Sequence, residues 1–166
     1  MNDHPAFFDL PDTHRRVLAW LLEKIPPDEF PWVLTGSGSL RLNGVDTPVH
    51  DLDIQTDKGT IHFIEKRLAE YMKESIHSLE SPDMRYLDGK AEIEGIQVEL
   101  LANIAHKLPD GSWDTFTDFS RTVWVDLQGM RVPTFPLEVE LAAYIAMGRT
   151  EKAALIRQVL ASRSDD

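Results

Sequence analysis

At 166 residues and 42% apolar composition, the chain is long enough to bury one hydrophobic core, and its formal net charge of −11 argues against broad contact with a nucleic-acid backbone, which Lys and Arg would have to neutralise. It has no cysteine, so disulfides, zinc–thiolate sites and cysteine nucleophiles are excluded. The start, Met1-Asn2-Asp3-His4-Pro5, lacks a basic region followed by an apolar one, and no apolar run approaches the roughly 20 residues that span a bilayer. A soluble cytoplasmic protein without membrane contact is expected.

The chain opens with Val17, Leu18, Leu21, Leu22 and Ile25 at helical spacing, a stripe stopped by Pro26-Pro27. Residues 32–34 read as an apolar strand that ends at Gly36, where the chain turns tightly. Ser37 is placed to cap a short helix from Ser39 to Asn43, closed by Gly44. In residues 51–54, strand alternation puts Asp51 and Asp53 on one face and Leu52 and Ile54 on the other. Ile61, Ile64, Leu68, Tyr71 and Met72 predict a second helix. Residues 90–93 and 96–101 predict two strands about Glu94-Gly95, with Ile96, Val98 and Leu100 on one face and Gln97 and Glu99 on the other.

Leu108-Pro109-Asp110-Gly111-Ser112-Trp113 is a turn-rich loop whose tryptophan either packs the loop onto the body, the favoured reading, or lines an acceptor pocket. Residues 121–127 predict a strand, with Gln128-Gly129 turning into 130–132. Pro136 opens a helix that buries Leu137, Leu141, Tyr144 and Ile145 and closes at Gly148. Leu155, Ile156, Val159 and Leu160 mark the last helix. One domain is expected, divided into an N-terminal helical segment (1–30), a sheet core (31–133) and C-terminal helices (134–166).

Chemistry concentrates in the turn and the acidic strand. Two carboxylates about 4 Å apart repel by roughly 4 kcal/mol at an effective dielectric of about 20, which favours a cation between them. Taken alone, Asp-x-Asp is more often a solvated strand end. Here it follows a strand–glycine–serine turn that presents backbone N–H groups to an anion. Magnesium, a hard cation held by one or two carboxylates plus phosphates, suits that pairing. If the 96–101 strand lies beside the 51–54 strand, Glu99 joins the aspartates. The three then hold two metals, or hold one and leave Glu99 as a general base. The six histidines are too scattered for a zinc site, and none is assigned a catalytic role.

Gly36-Ser37, Asp51-x-Asp53 and Glu99 between apolar neighbours together resemble the nucleotidyltransferase superfamily of polymerase beta-like fold. The likeness is nearest to small single-domain bacterial and archaeal members related to the lincosamide and aminoglycoside adenylyltransferases. It extends over residues 32–160, through Asn43-Gly44-Val45, Glu92-Ile93-Glu94-Gly95 and the C-terminal helices. The doubled Gly36-Ser37-Gly38-Ser39 departs from the usual single pair, so either serine is the phosphate contact, with Ser37 favoured. The third acid is Glu99 where aspartate is more frequent.

The resemblance implies an α+β fold, a mixed twisted sheet carrying the acidic site, with helices packed against it and a C-terminal helical pair. It implies Asp51, Asp53 and Glu99 as metal and catalytic residues and one or two Mg2+ ions. It further implies NMP transfer from a nucleoside triphosphate to a hydroxyl of a small-molecule acceptor. Gly36, Ser37, Gly38 and Ser39 are the expected nucleotide-binding turn. Arg41 and Lys152 are the candidate cations for the phosphates, Lys152 because a lysine in a first helical turn is unfavourable without an anion nearby. A homodimer through the open sheet edge is plausible. Two further readings stay open: a catalytically silent nucleotide-binding or toxin–antitoxin-type module, and an acidic domain that binds calcium or nothing.

Overall fold

The computed structural model describes residues 3–114 and 118–164. Strands β1 (Asp3–Pro5), β2 (Trp32–Thr35), β3 (Leu52–Thr56), β4 (Met72–Glu80), β5 (Met84–Ile93), β6 (Ile96–His106), β7 (Val123–Leu127) and β8 (Met130–Thr134) form one mixed sheet in the order β1-β7-β8-β2-β3-β6-β5-β4. Helices α1 (Asp12–Lys24), α2 (Gly36–Leu42), α3 (Thr60–Arg67), α4 (Leu137–Ala146) and α5 (Thr150–Ser164) surround it.

Alternation along the central strands sorts the two faces. Leu34 lies opposite Ile54, and Ile54 opposite Leu100. All three side chains are buried in one cluster with Val17, Leu18 and Leu21 of α1 and Ile61 and Ile64 of α3. Each such fully buried aliphatic side chain contributes about 1.5–3 kcal/mol over an exposed one. Thr35, Asp53 and Glu99, one residue out of phase, are also in register and share the opposite face. A second apolar cluster joins Leu40 of α2 to Leu137 and Tyr144 of α4 and Ala153 and Ile156 of α5. The C-terminal helices thus pack on α2, the element that begins where β2 ends.

Several local expectations change. The α2 helix begins at Gly36 with Thr35 as its N-cap, so it starts three residues earlier than expected and Ser37 lies inside it. Gly44, at φ +103°, follows the helix as anticipated. Asp51 sits in a bend just before β3, not within the strand. Helix α3 stops at Arg67, and Tyr71 lies in a 3-10 turn where its ring packs on Trp20 at 5.0 Å. Met72 begins β4, a mostly exposed edge strand with too little apolar alternation to be read. The strand expected at 90–93 is only the end of β5, which is ten residues long. Residues 119–121 form a 3-10 turn, so the strand expected from 121 begins at Val123. Ile145 and Leu155 are 49% and 38% exposed, because the α4 and α5 faces that carry them turn away from the second cluster. The three-residue β1, unread in sequence, pairs in parallel with β7 and has Pro5 at the sheet edge, where a missing N–H costs no ladder bond. No helix among the described residues is long and apolar enough to cross a membrane.

Candidate active site

The acidic site is built by register. Asp53 on β3 lies opposite Glu99 on the parallel neighbour β6 and opposite Thr35 on the antiparallel neighbour β2. Thr35 leads directly into Gly36, which has φ +70°, and a Cβ on this glycine would collide with Oδ2 of Asp53. Glycine is therefore required twice at this position, for backbone conformation and for the approach of the carboxylate. Asp51 accepts a hydrogen bond from Nε2 of Gln97 at 3.0 Å, which ties the bend before β3 to the start of β6. The expected Gly36 turn and the carboxylates of Asp51, Asp53 and Glu99 are thus neighbours on one face.

Electrostatics mark the same place. Burial, then repulsion by Asp51, pushes the Asp53 carboxyl up to about 6, with Arg149 pulling against the rise. Burial, then Asp53 and Asp88, holds Glu99 far above the usual carboxylate range, and a hydrogen bond with Asp88 adds to it. Strongly perturbed carboxyls held together by a fold mark this face as a candidate functional site. Their hard oxygen donors fit a magnesium ion, whose charge would relieve the repulsion that raises them.

Three residues at the site were missed by sequence reasoning. Asp88 on β5 is 2% exposed, interacts with the Glu99 carboxyl, and has an Oδ1 with no hydrogen-bond partner. On its outer side it approaches Glu74 and His77 to within 4.8 Å, while Lys90 lies 3.5 Å from Glu74. Arg149, between α4 and α5, is the cation that acts on Asp53, and its guanidinium stacks on Tyr144 at 5.1 Å. The helix-start argument made for Lys152 applies equally to Arg149. Glu140 of α4, 2% exposed, accepts a 2.7 Å hydrogen bond from the Thr35 hydroxyl. Burial raises its pKa to about 7 against the opposing effect of Thr35, with the Gly36 backbone and Ser39 also near its carboxyl. The spacing Leu137, Glu140, Tyr144 carried that signal, since i, i+3 and i+7 share one helix face.

The other expected residues are distributed as follows. Ser39 is fully buried and its hydroxyl makes no well-formed hydrogen bond, whereas Ser37 is only partly buried. Lys152 hydrogen-bonds the Thr47 hydroxyl, and burial followed by the nearby Arg149 lowers its pKa. Arg41, near the far end of α2, donates to the Asp9 carbonyl at 2.5 Å and to Asp46 at 3.1 Å, and stacks on Phe8. These two cations flank the segment leading to Asp51. Trp113 bridges to Lys107 and stacks under Arg85 at 4.7 Å. This lies beyond the end of β6, about 20 Å along the strand from Glu99 at roughly 3.3 Å per residue, so the tryptophan packs its loop and does not line the acidic site.

The family model for aminoglycoside-2''-adenylyltransferase matches residues 17–158. The chain belongs to this family. It is thereby a nucleotidyltransferase-superfamily enzyme of adenylyltransferase type, with the mixed-sheet fold that the sequence resemblance implied. Among solved structures it is similar to a Thermotoga maritima protein provisionally assigned as a nucleotidyltransferase, at 32% identity and a TM-score of 0.81. That likeness covers 94% of this chain and 98% of the other. No curated protein matches the chain.

Proposed function

We propose that the protein transfers a nucleoside monophosphate from a magnesium-bound nucleoside triphosphate to a hydroxyl group of a small-molecule acceptor, releasing pyrophosphate. The observation that carries this reading is the register Thr35–Asp53–Glu99, which sets the glycine-serine turn beside the carboxylates. Asp51 and Asp53 would hold the metal, with Glu99 as a further ligand if a second ion binds. When bound, the ion supplies Lewis-acid neutralisation of the phosphate oxygens.

The chain's own residues supply the rest. The backbone of Gly36, Ser37, Gly38 and Ser39 would receive the outer phosphates. Arg149 and Lys152 approach from the start of α5, and Arg41 steadies the segment before Asp51 through its bonds to Asp46 and Thr47. Glu99, with its raised pKa, suits a general base near neutral pH. It would take the proton of the acceptor hydroxyl, whose oxygen then bonds to the α-phosphorus. The bond from that phosphorus to the bridging oxygen breaks, and pyrophosphate leaves with the electron pair. A cavity of 350 Å³ lined by Lys73, Lys90, Glu92 and Gln97 adjoins Asp51 through Gln97 and offers space for the acceptor.

The testing experiment is a thermal-shift titration with ATP, GTP, CTP and UTP, each with magnesium and with chelator. Magnesium-dependent stabilisation by a triphosphate, followed by acceptor-dependent pyrophosphate release, is the expected result. Absence of any shift at millimolar nucleotide would refute the reading.

A further inference from the structure

Strand β4 is irregular where it faces Asp88. Glu74 lies opposite Lys90 and His77 opposite Asp88, so β4 advances three residues where β5 advances two. Strict alternation would send Glu74 and His77 to opposite faces, and the extra residue returns them to one. Ile76 seats this bulge: its amide donates to Oε2 of Glu65 at 2.7 Å, and its side chain fills the space that a Cβ on Gly89 would need. As a result, a carboxylate oxygen of Glu74, a ring nitrogen of His77 and a carboxylate oxygen of Asp88 lie within 4.8 Å of one another.

Two observations at this cluster point to a cation. Asp88 is 2% exposed and its Oδ1 has no hydrogen-bond partner, while the neighbouring carboxyls of Glu99 and Glu74 add negative charge. A buried carboxylate oxygen left in this way is costly unless a cation meets it. Lys90 makes its ion pair with Oε2 of Glu74, at 3.5 Å, and not with Asp88. The second observation is the state of His77. Its Nδ1 lies 2.8 Å from the Ser75 carbonyl, which can only accept, so Nδ1 carries the ring proton and Nε2 keeps a lone pair. A backbone carbonyl on the far nitrogen is the usual support of a metal-binding imidazole.

We propose that Glu74, His77 and Asp88 form a cation site, distinct from Asp51 and Asp53, that takes a zinc-type divalent transition ion and fastens the edge strand β4 to β5. The donor set selects the ion, because imidazole nitrogen suits zinc whereas magnesium prefers an octahedron of oxygens. Three protein ligands leave a fourth tetrahedral position for water. Ligand atoms bound to zinc at roughly 2.0–2.2 Å stand about 3.3 Å apart, and the exposed Glu74 and His77 can close the remaining gap onto the buried Asp88. Strand β6 separates β5 from β3, which puts their backbones about 10 Å apart, whereas paired catalytic ions stand about 3.5–4 Å apart. An ion here is therefore not the partner of one at Asp51 and Asp53, and its binding does not depend on the nucleotide reading.

The test uses the full chain, stripped of metal, in an Asp51→Asn/Asp53→Asn background that removes the other acidic pair. Zinc affinity is measured by calorimetry with and without excess magnesium, and amide hydrogen exchange is followed along β4. Zinc should bind, undisplaced by a hundredfold excess of magnesium, and slow exchange at residues 74–78 at least fivefold. His77→Ala, Glu74→Gln and Asp88→Asn should each weaken zinc at least tenfold, whereas His62→Ala, on α3, should stay within twofold. Glu74 and His77 are exposed, so their variants decide the matter should Asp88→Asn fail to fold. No zinc bound, zinc displaced by magnesium, or affinity retained in His77→Ala would overturn the proposal. Loss confined to His77→Ala would overturn it as well, since that marks an adventitious surface histidine. Zinc bound with exchange along β4 unchanged would refute the fastening of the edge strand.

Discussion

Replacing Asp53 by asparagine tests the electrostatic account of the site without requiring a substrate. Its carboxyl is raised from 3.8 to about 6, chiefly by burial and then by Asp51. That difference corresponds to about 3 kcal/mol. The sign follows from proton linkage: an acid with a raised folded-state pKa binds its proton more tightly when folded, so the associated stability is full below the unfolded pKa and is lost as pH rises through about 6. Asparagine has nothing to lose. Relative to the parent in chelator, Asp53→Asn is expected to gain almost nothing near pH 3.5, about 1 kcal/mol at pH 4.5, and up to about 3 kcal/mol above pH 7. For a chain of this size each kcal/mol moves the melting temperature by about 2–4 °C. Local relaxation makes the full figure an upper bound, and a rise of at least about 3 °C at pH 8 is the working threshold. Scanning fluorimetry from pH 3.5 to 8.5 measures the difference curve. A variant that melts below the parent at pH 8, or that gains equally at pH 4 and pH 8, would refute the reasoning. Magnesium should then stabilise the parent at pH 8 and leave the variant unmoved.

Gly36→Ala should retain the fold at a cost of about 1–2 kcal/mol for a side chain in the left-handed region, and lose at least 100-fold in turnover as its Cβ displaces the Asp53 carboxylate; melting and pyrophosphate release measure the two effects. Arg149→Met removes the cation that holds Asp53 down, so the Asp53 titration followed by carbon NMR should move above about 6 and the KM for magnesium triphosphate should rise at least tenfold. A titration unchanged by that substitution would mean that Arg149 does not act on the site. Trp113→Ala is expected to cost about 0.5–1 kcal/mol of cation–π contact and to change kcat and KM less than threefold, since the loop lies beyond the far end of β6. A tenfold rise in acceptor KM would instead place the loop at the pocket.

Much of this molecule was legible in order along the chain. Alternation alone separated Leu52 and Ile54 from Asp53, and Val98 and Leu100 from Glu99, and those assignments hold in the sheet because a period of two leaves each side chain only one face to occupy. The Gly36 turn was equally readable, since a glycine between an apolar strand and a serine-rich segment marks a conformation few other residues adopt. Edge and turn elements were not. Strand β4 draws its backbone partners from β5 and exposes most of its side chains, so its residues carry no burial pattern to read, and Tyr71 and Met72 matched a helical spacing by coincidence.

What the sequence by itself determined was the local chemistry: a tight turn, an aspartate pair at the entry to a strand, and a third acid between apolar neighbours. Which of these groups meet was decided by the tertiary structure. Parallel pairing of β3 with β6 sets Asp53 against Glu99 across 45 residues of intervening chain. Antiparallel pairing of β5 with β6 brings in Asp88, and packing of α4 and α5 on α2 delivers Glu140 and Arg149 from the other end of the chain. None of those four approaches has a local cause. Each arises because burying apolar faces elsewhere fixes the strands and helices in register, and the polar groups on the opposite faces are carried into contact with them.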